Sequence, residues 1–319
     1  MLHDDVADLS HIRPYKVTEA RTKPTPVRWS FSDDTEEIFR FAIGELAKGG
    51  VALATLTEIR GGAARALGSH VAIAADGRFC GYVSGGCIEA AVASEALDAL
   101  GEDQDREVRY GQGSPFFDIV LPCGGGITVA IHVLRDAKAL SHVLSELGQR
   151  RCAGLRYTGS TEQLRMVEPP SKPGFVDGGF ETVYRPRTRI VISGQSVEAE
   201  RVASIADSAG YEVVAYTNRE IELPVIDRYT AVVLLHHDLD AEQDVLHAAL
   251  RSSAFYLGAL GSTRTHRNRV DRLDSSGFTK AQTQRIKAPI GVFGPTRDAN
   301  SLALSILADV AATRLSVYA

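Results

Sequence analysis

Residues 189–216 read RIVISGQSVEAERVASIADSAGYEVVAY. Ile190-Val191-Ile192 has the unbroken apolar run of a strand buried on both faces. Val197–Ala209 follows as a helix and Glu212–Tyr216 as the next strand. The alternation continues with a strand at Ala231–Leu235, a helix at Leu239–Leu250 and a strand at Ala254–Leu260. A basic helix at Arg264–Leu273 and a closing helix at Asn300–Arg314 complete it. Strands alternating with helices predict an α/β fold, a parallel sheet with helices on both faces.

The first half reads as mixed α+β. A helix opens near Ser32, where Asp33 and Glu36 form a capping pattern and Ile38, Phe39, Phe41, Ala42 and Leu46 supply an apolar face. Val51–Ile59 is a strand, and Ser69–Ala74 and Phe79–Val83 flank Asp76-Gly77 as a hairpin. Cys87–Leu100 is a helix, Glu107–Tyr110 and Ile127–Leu134 are strands, and Asp136–Gln149 is a helix. Pro169, Pro170, Pro173 and Pro186 mark a boundary segment with short strand-like pieces such as Glu181–Tyr184. The expected organisation is a tail at 1–31, a mixed domain at 32–150, a linker at 151–187 and a parallel-sheet domain at 188–319.

At 319 residues the chain has room for two domains of roughly 150 residues each. Hydrophobic residues at 44% and charged residues at 24% exclude wholesale disorder. A net charge of −5 offers no basic footprint for nucleic acid. No apolar run approaches the ~20 residues of a membrane helix. The first thirty residues start acidic and lack the apolar core of a secretory signal. Four cysteines are too few for a disulfide framework, so a cytoplasmic location is expected.

Several motifs carry chemistry. Ser84-Gly85-Gly86-Cys87-Ile88-Glu89 places two glycines between a strand and a helix, with a cysteine at that helix's first turn. Free N–H groups and the helix dipole there favour an anion or a thiolate, which suits a nucleophile or a soft-metal ligand. The plainer reading is a tight turn with a buried cysteine. Leu121-Pro122-Cys123-Gly124-Gly125-Gly126 is a second cysteine beside glycines, or simply a glycine loop before a strand. Zinc is argued against, because no C-x-x-C occurs and His132 lies inside a strand pattern without a partner at ligand spacing. Arg65, in the connection Gly61–Gly68, is either a clamp for phosphate or carboxylate or a solvated loop arginine.

In the second half, Ser193-Gly194-Gln195-Ser196 stands where a dinucleotide fold carries its glycine fingerprint, but only Gly194 is a glycine. The following strand ends in Thr217-Asn218-Arg219, with no acid to hold a ribose, so NAD(P) is argued against. Ser193 and Ser196 remain available to a phosphate. His237 and Asp238 lie at a strand's carboxyl end, where such sheets bind ligands; Asp238 also suits a helix N-cap. Gly261 and Ser262 open a helix carrying Arg264, His266, Arg267 and Arg269, which is a phosphate cluster or a solvated basic face. The turn Pro289–Pro295 closes the same crevice in this reading.

Together these stretches resemble the XdhC family, accessory factors of xanthine dehydrogenase and related molybdenum hydroxylases. The matching segments are GGVALATLTEIRG, HVAIAADGRFCGYVSGGCIEAAV, LPCGGGITVAI, VVLLHHDLD, YLGALGSTRTHRNR, API and SILADV. The resemblance implies a mixed N-terminal domain and a Rossmann-like second domain. It implies a chaperone rather than an enzyme, whose cargo is the molybdenum cofactor, as molybdopterin or its cytosine dinucleotide. Such a protein protects the cofactor during sulfuration and delivers it to an apo molybdenum hydroxylase. Implied partners are that hydroxylase, a cysteine desulfurase and a cytidylyltransferase, with a homodimer as the assembly and neither nucleic acid nor membrane.

On this reading Cys87 and Cys123 contact the metal. Gly85, Gly86, Glu89, Gly124, Gly125, Arg65, His237, Asp238, Gly261, Ser262, Arg264 and Arg267 complete the cofactor site, with Arg269 a further phosphate candidate. The family's G-A-G-H-V turn is Ser193–Val197 here, its acidic pair is Thr217-Asn218, and its Thr-Pro-Glu-Glu run is Arg297–Asn300. Two other readings stand beside it: an NAD(P)-dependent oxidoreductase and a docking scaffold without a ligand.

Overall fold

The computed structural model describes residues 23–112, 114, 124–216 and 226–318. The chain divides into two compact units, one of residues up to Ala137 with Tyr157–Leu164, the other of Lys138–Arg156 with Arg165–Ala319. The helix expected to close the first domain therefore belongs to the second unit.

The first unit is a six-stranded sheet in the order β1-β4-β3-β2-β6-β5. Its strands are β1 (Val27–Ser30), β2 (Val51–Arg60), β3 (His70–Ala74), β4 (Arg78–Gly81), β5 (Arg106–Gly111) and β6 (Gly126–Val133). Helices α1 (Thr35–Leu46) and α2 (Glu89–Glu102) cover opposite faces. Val71 and Ile73 of β3 pair with Ala54 and Ala52 of β2 and share their face with Val92 and Ala96 of α2. The alternate pair, His70 and Thr55, faces the other way, where the Phe39 ring of α1 lies 5.4 Å from the His70 ring. Both faces are covered, so β2 is buried over its first seven residues, Val51–Thr57. The α1 N-cap is Asp34, which accepts from the N–H groups of Glu36 and Glu37. Asp33, expected to cap it, pairs instead with Arg65 at 2.7 Å. Part of the expected tail is structured, since β1 pairs parallel with β4.

The segment expected as a linker forms a four-stranded sheet, β8-β7-β10-β9, from β7 (Ala153–Thr158), β8 (Gln163–Val167), β9 (Gly174–Val176) and β10 (Gly179–Tyr184). It follows α3 (Lys138–Gly148).

The remaining sheet is parallel throughout, in the order β12-β11-β13-β14-β15. Its strands are β11 (Arg189–Ser193), β12 (Glu212–Tyr216), β13 (Thr230–Leu234), β14 (Tyr256–Ala259) and β15 (Ile286–Lys287). Ile190 and Ile192 of β11 face α4 (Val197–Ser208) and α8 (Ala299–Tyr318). Val191 faces α5 (Gln243–Arg251) and α6 (Thr263–Ser275), with α7 (Lys280–Thr283) on that side. Residues one apart in a strand point to opposite faces, so both helical layers follow from one apolar run. The chain reverses direction across the sheet between β11 and β13, and crevices of such sheets lie at that point, beyond the carboxyl ends.

Helix α8 has the length and composition of a membrane-crossing helix, contrary to the expectation from uninterrupted apolar runs. Its middle carries Asp309, 2% exposed, which accepts from the Tyr256 hydroxyl at 2.8 Å and from Lys287. One face of the helix packs on α4, with this buried, bonded carboxylate in it.

Burial lowers the His70 pKa from 6.5 to about 3, so the ring stays neutral beside the Thr55 hydroxyl at 3.0 Å. Below pH 6.5 the unfolded chain takes up a proton that the folded chain refuses. Stability contributed by the neutral ring is complete above 6.5 and is lost as pH falls toward 3. We expect the urea midpoint to fall between pH 7 and pH 5, by about 1.4 kcal/mol per pH unit below the unfolded pKa. His70→Gln should flatten that part of the profile, whatever its effect at pH 7.

Candidate functional site

Ser84–Cys87 joins β4 to α2 and is shaped by Glu89, a carboxylate with no exposure. Its Oε1 accepts from the backbone N–H groups of Val83 and Ser84 at 3.2 and 2.7 Å. The Ser84 hydroxyl donates to this carboxylate at 2.9 Å and accepts from the N–H groups of Gly86 and Cys87, each at 3.2 Å. The clasp turns Gly85, Gly86 and Cys87 outward into solvent. Gly86 takes φ +107°, with open space where a side chain would project. Cys87 carries an exposed free thiol. Two expectations change. Cys87 precedes the Ile88 N-cap and is not in the first turn of α2. Glu89 has no surface to offer a ligand, because Ser84 and Val83 occupy it.

Three motifs remote in sequence meet at one end of this sheet, beyond interior strands. A Cβ on Gly125 would stand 2.4 Å from the Gly62 carbonyl oxygen and 2.7 Å from that of Arg60. A Cβ on Gly85 would stand 3.4 Å from the Ala64 Cβ. The glycines at 124–126 and the Gly85–Cys87 loop therefore both lie against the connection 61–64. Arg60 pins this end, donating to the Gln112 carbonyl at 3.0 Å, the Ile127 carbonyl at 3.1 Å and the Thr128 hydroxyl at 2.7 Å. Arg65 reaches the Ser84 carbonyl at 3.3 Å and lies over the Tyr82 ring at 5.0 Å. Its partner Asp33 is 64% exposed, so the ion pair is weak and exchangeable. Cys123 lies outside the described residues, as do Thr217, Asn218 and Arg219.

In the second unit a cleft of about 700 Å³ opens beyond the carboxyl ends of the parallel strands. Of the predicted residues it brings together His237, Gly261 and Ser262, with the turn Pro289–Thr296 as its wall. Ser262 caps α6, accepting from the Thr265 N–H at 3.2 Å. Arg264 and Arg267 stand exposed on α6 and are not among the cleft's lining residues. Arg269 is 2% exposed and turned inward, donating to Glu242 at 2.5 and 3.0 Å and to the Leu260 carbonyl at 2.9 Å. It is a structural cation and no phosphate contact. Asp238 accepts from the Asp240 N–H at 2.9 Å in a turn; the residue before α5 is Glu242, so the expected capping role fails.

The turn after β11 is filled by the protein itself. Ser193 is fully buried and its hydroxyl is 2.8 Å from His236 Nε2, whose pKa burial lowers. Ser196 caps α4. Neither serine is left for a phosphate. Glu198, which the sequence reading missed, lines the cleft from the first turn of α4. Its pKa is lowered first by the Ser196 hydroxyl, with His237 adding a smaller pull. A carboxylate at that helix end opposes a second anion. The signal for it was the acidic residue two positions after the N-cap serine.

A mixed sheet bearing an outward glycine–cysteine loop, followed by a doubly wound parallel domain, defines the class of two-domain accessory factors anticipated from the motifs. The model of the XdhC and CoxI family matches residues 46–111, and that of the XdhC Rossmann domain matches residues 190–310. The chain is 49% identical over 292 residues to the molybdenum cofactor insertion chaperone PaoD of Escherichia coli K12, covering 91% of this chain and 92% of that protein. It is 23% identical over 324 residues to a probable xanthine dehydrogenase subunit of Bacillus subtilis 168, covering 83% and 93%. A crystal structure of a xanthine dehydrogenase from Bacillus halodurans superposes with a TM-score of 0.71 at 19% identity, over 89% of this chain and 96% of that one, and shows the shared fold. The chain belongs to the XdhC and CoxI family.

Glu89→Gln should loosen the clasp and lower stability by about 2 kcal/mol in urea unfolding, since bonds to a buried carboxylate are weakened. Gly125→Ala should be worse tolerated than Gly86→Ala by thermal unfolding, because only the first drives a Cβ into backbone.

Proposed function

We propose that this chain is a molybdenum cofactor insertion chaperone for a xanthine dehydrogenase-type hydroxylase. Its kinship with a chaperone of that name supports the reading, and one observation in the fold carries it. That observation is the exposed Cys87 thiol on a side-chain-free loop, beside the glycines 124–126 and Arg65. A bulky cargo needs such bare backbone to approach closely. A soft thiolate suits molybdenum or its transferable sulfur. Among the described residues no group of three or more His, Cys, Asp or Glu could hold a metal ion.

In this proposal Cys87, with Cys123 as the second thiol, contacts the metal end of the cargo. Gly85, Gly86, Gly124 and Gly125 let it settle, and Arg65 exchanges Asp33 for its phosphate. The cleft at His237, Gly261 and Ser262 serves a second part of the same task, contact with the cargo or with the target enzyme, with Asp238, Arg264 and Arg267 at the surface nearby in sequence. We further propose that the chain shelters the cofactor during sulfuration, in its molybdopterin or cytosine dinucleotide form. A cysteine desulfurase, a cytidylyltransferase and the apo hydroxylase are its partners, and it works as a homodimer in the cytoplasm. It acts by holding and releasing, with no catalytic group of its own.

The test is anaerobic purification with a cofactor source, followed by assay of bound molybdenum and pterin. Cys87→Ser should lower retained molybdenum and target activation by about tenfold, the loss of one metal–sulfur contact. Arg65→Gln should lower them less. Retention and activation at wild-type level in Cys87→Ser would remove the thiol from the mechanism, and absence of bound cofactor in the wild type would remove the chaperone reading.

A further inference from the structure

A second cavity lies in the parallel-sheet unit, at the end opposite the cleft. It has a volume of about 860 Å³ and is bordered by Asp227–Tyr229, leading into β13, and by Ser253 and Phe255, leading into β14. These segments stand at the amino ends of the strands. Four arginines line the cavity, Arg150, Arg151, Arg185 and Arg228, against one carboxylate, Asp227.

Two of the four are already matched. Arg150 donates to Asp227 at 2.6 and 3.0 Å and to Glu212 at 2.6 Å. Arg151 pairs with Glu146 at 2.6 Å. Arg185 donates to the Ser171 carbonyl at 2.7 Å, and neither it nor Arg228 has a carboxylate partner among the described residues. Tyr318 connects this pair. Its ring lies 5.7 Å from the Arg185 guanidinium, and its hydroxyl donates to the Arg228 carbonyl oxygen. The rings of Tyr229 and Phe255 pack on it at 5.6 and 5.9 Å, making an aromatic wall. Burial pushes the Tyr229 hydroxyl up to about 12 and raises that of Tyr318, so both phenols are neutral at pH 7 and cancel none of the positive charge.

Two guanidiniums without a carboxylate partner among the described residues, beside an aromatic wall and in a chain of net charge −5, ask for a ligand that is both anionic and flat. A guanidinium presents a planar fork that matches phosphate, and aromatic faces accept a stacked base. Inorganic phosphate would leave the wall unused, and an uncharged ring would leave the arginines unmatched. The volume lies within the range of small-molecule sites. We propose that this cavity binds a free nucleoside monophosphate, its phosphate on Arg185 and Arg228 and its base against Tyr318 and Phe255. The site shares no lining residue with the carboxyl-end cleft and stands whether or not the chaperone reading does.

Calorimetric titration of the full chain with AMP and with CMP tests it, with adenosine and inorganic phosphate as the two half-ligands. Both nucleotides should bind with micromolar Kd, and each half-ligand more weakly. Arg185→Gln and Arg228→Gln should each weaken AMP about tenfold or more without moving the thermal midpoint. Tyr318→Leu should weaken AMP and leave the response to phosphate unchanged. The proposal is overturned if neither nucleotide binds below about 1 mM. It is equally overturned if both arginine variants bind AMP as the wild type does, if phosphate alone binds as tightly as AMP, or if His237→Ala in the other cleft abolishes AMP binding.

Discussion

A buried carboxylate organises the exposed edge of the first unit. Glu89 lies at the start of α2 with no exposure, and burying such a group is costly unless hydrogen bonds replace its water. The replacement comes from the Val83 and Ser84 N–H groups and the Ser84 hydroxyl. Because the same hydroxyl also accepts from Gly86 and Cys87, satisfying the carboxylate fixes the course of the whole loop. The exposed thiol is thus a consequence of an interior requirement. Its neighbours obey a second constraint: 124–126 can lie against 61–64 only where Gly125 has no Cβ.

In the second unit, local bonds close one possibility and leave another. The turn after β11 is locked to the segment after β13 through Ser193 and His236, and a Cβ on Gly194 would stand 2.8 Å from the Leu235 carbonyl oxygen. With Ser196 capping α4 and Glu198 facing the cleft, the place a pyrophosphate takes in dinucleotide folds is used up. The cleft that remains is built from His237, Ser262 and the wall at Pro289–Thr296, with Val292 and Phe293 half exposed. Buried pairing, Arg269 on Glu242, holds the base of α6 against the segment before α5.

Periodicity made most elements readable. The strand Glu212–Tyr216 and the helix from Val197 follow from apolar runs and a serine cap that act within a few residues. Where the reading failed, the deciding partner was distant. Val27–Ser30 is a strand because β4 lies beside it, and nothing within the tail announces that. Asp33 and Asp34 are equally good caps by sequence; Asp34 caps the helix, and Asp33 pairs with Arg65 from another loop. Arg269 looks like its exposed neighbours Arg264 and Arg267 until Glu242 is known to face it. The candidate residues were legible as motifs, and their separate fates as loop scaffold, cleft lining or buried ion pair were not.

By itself the amino-acid order determined the α/β class, the change of architecture between the halves, and the glycine–cysteine motif, because strand alternation, helical spacing and glycine turns are properties of neighbouring residues. Tertiary structure alone decided that loops from three parts of the chain share one end of a sheet, that Glu89 and Arg269 serve the interior, and that arginines without a carboxylate partner among the described residues gather at an aromatic wall. Those outcomes depend on desolvation and on contacts between residues far apart in the chain, and burial energy is set only once the surrounding elements have packed.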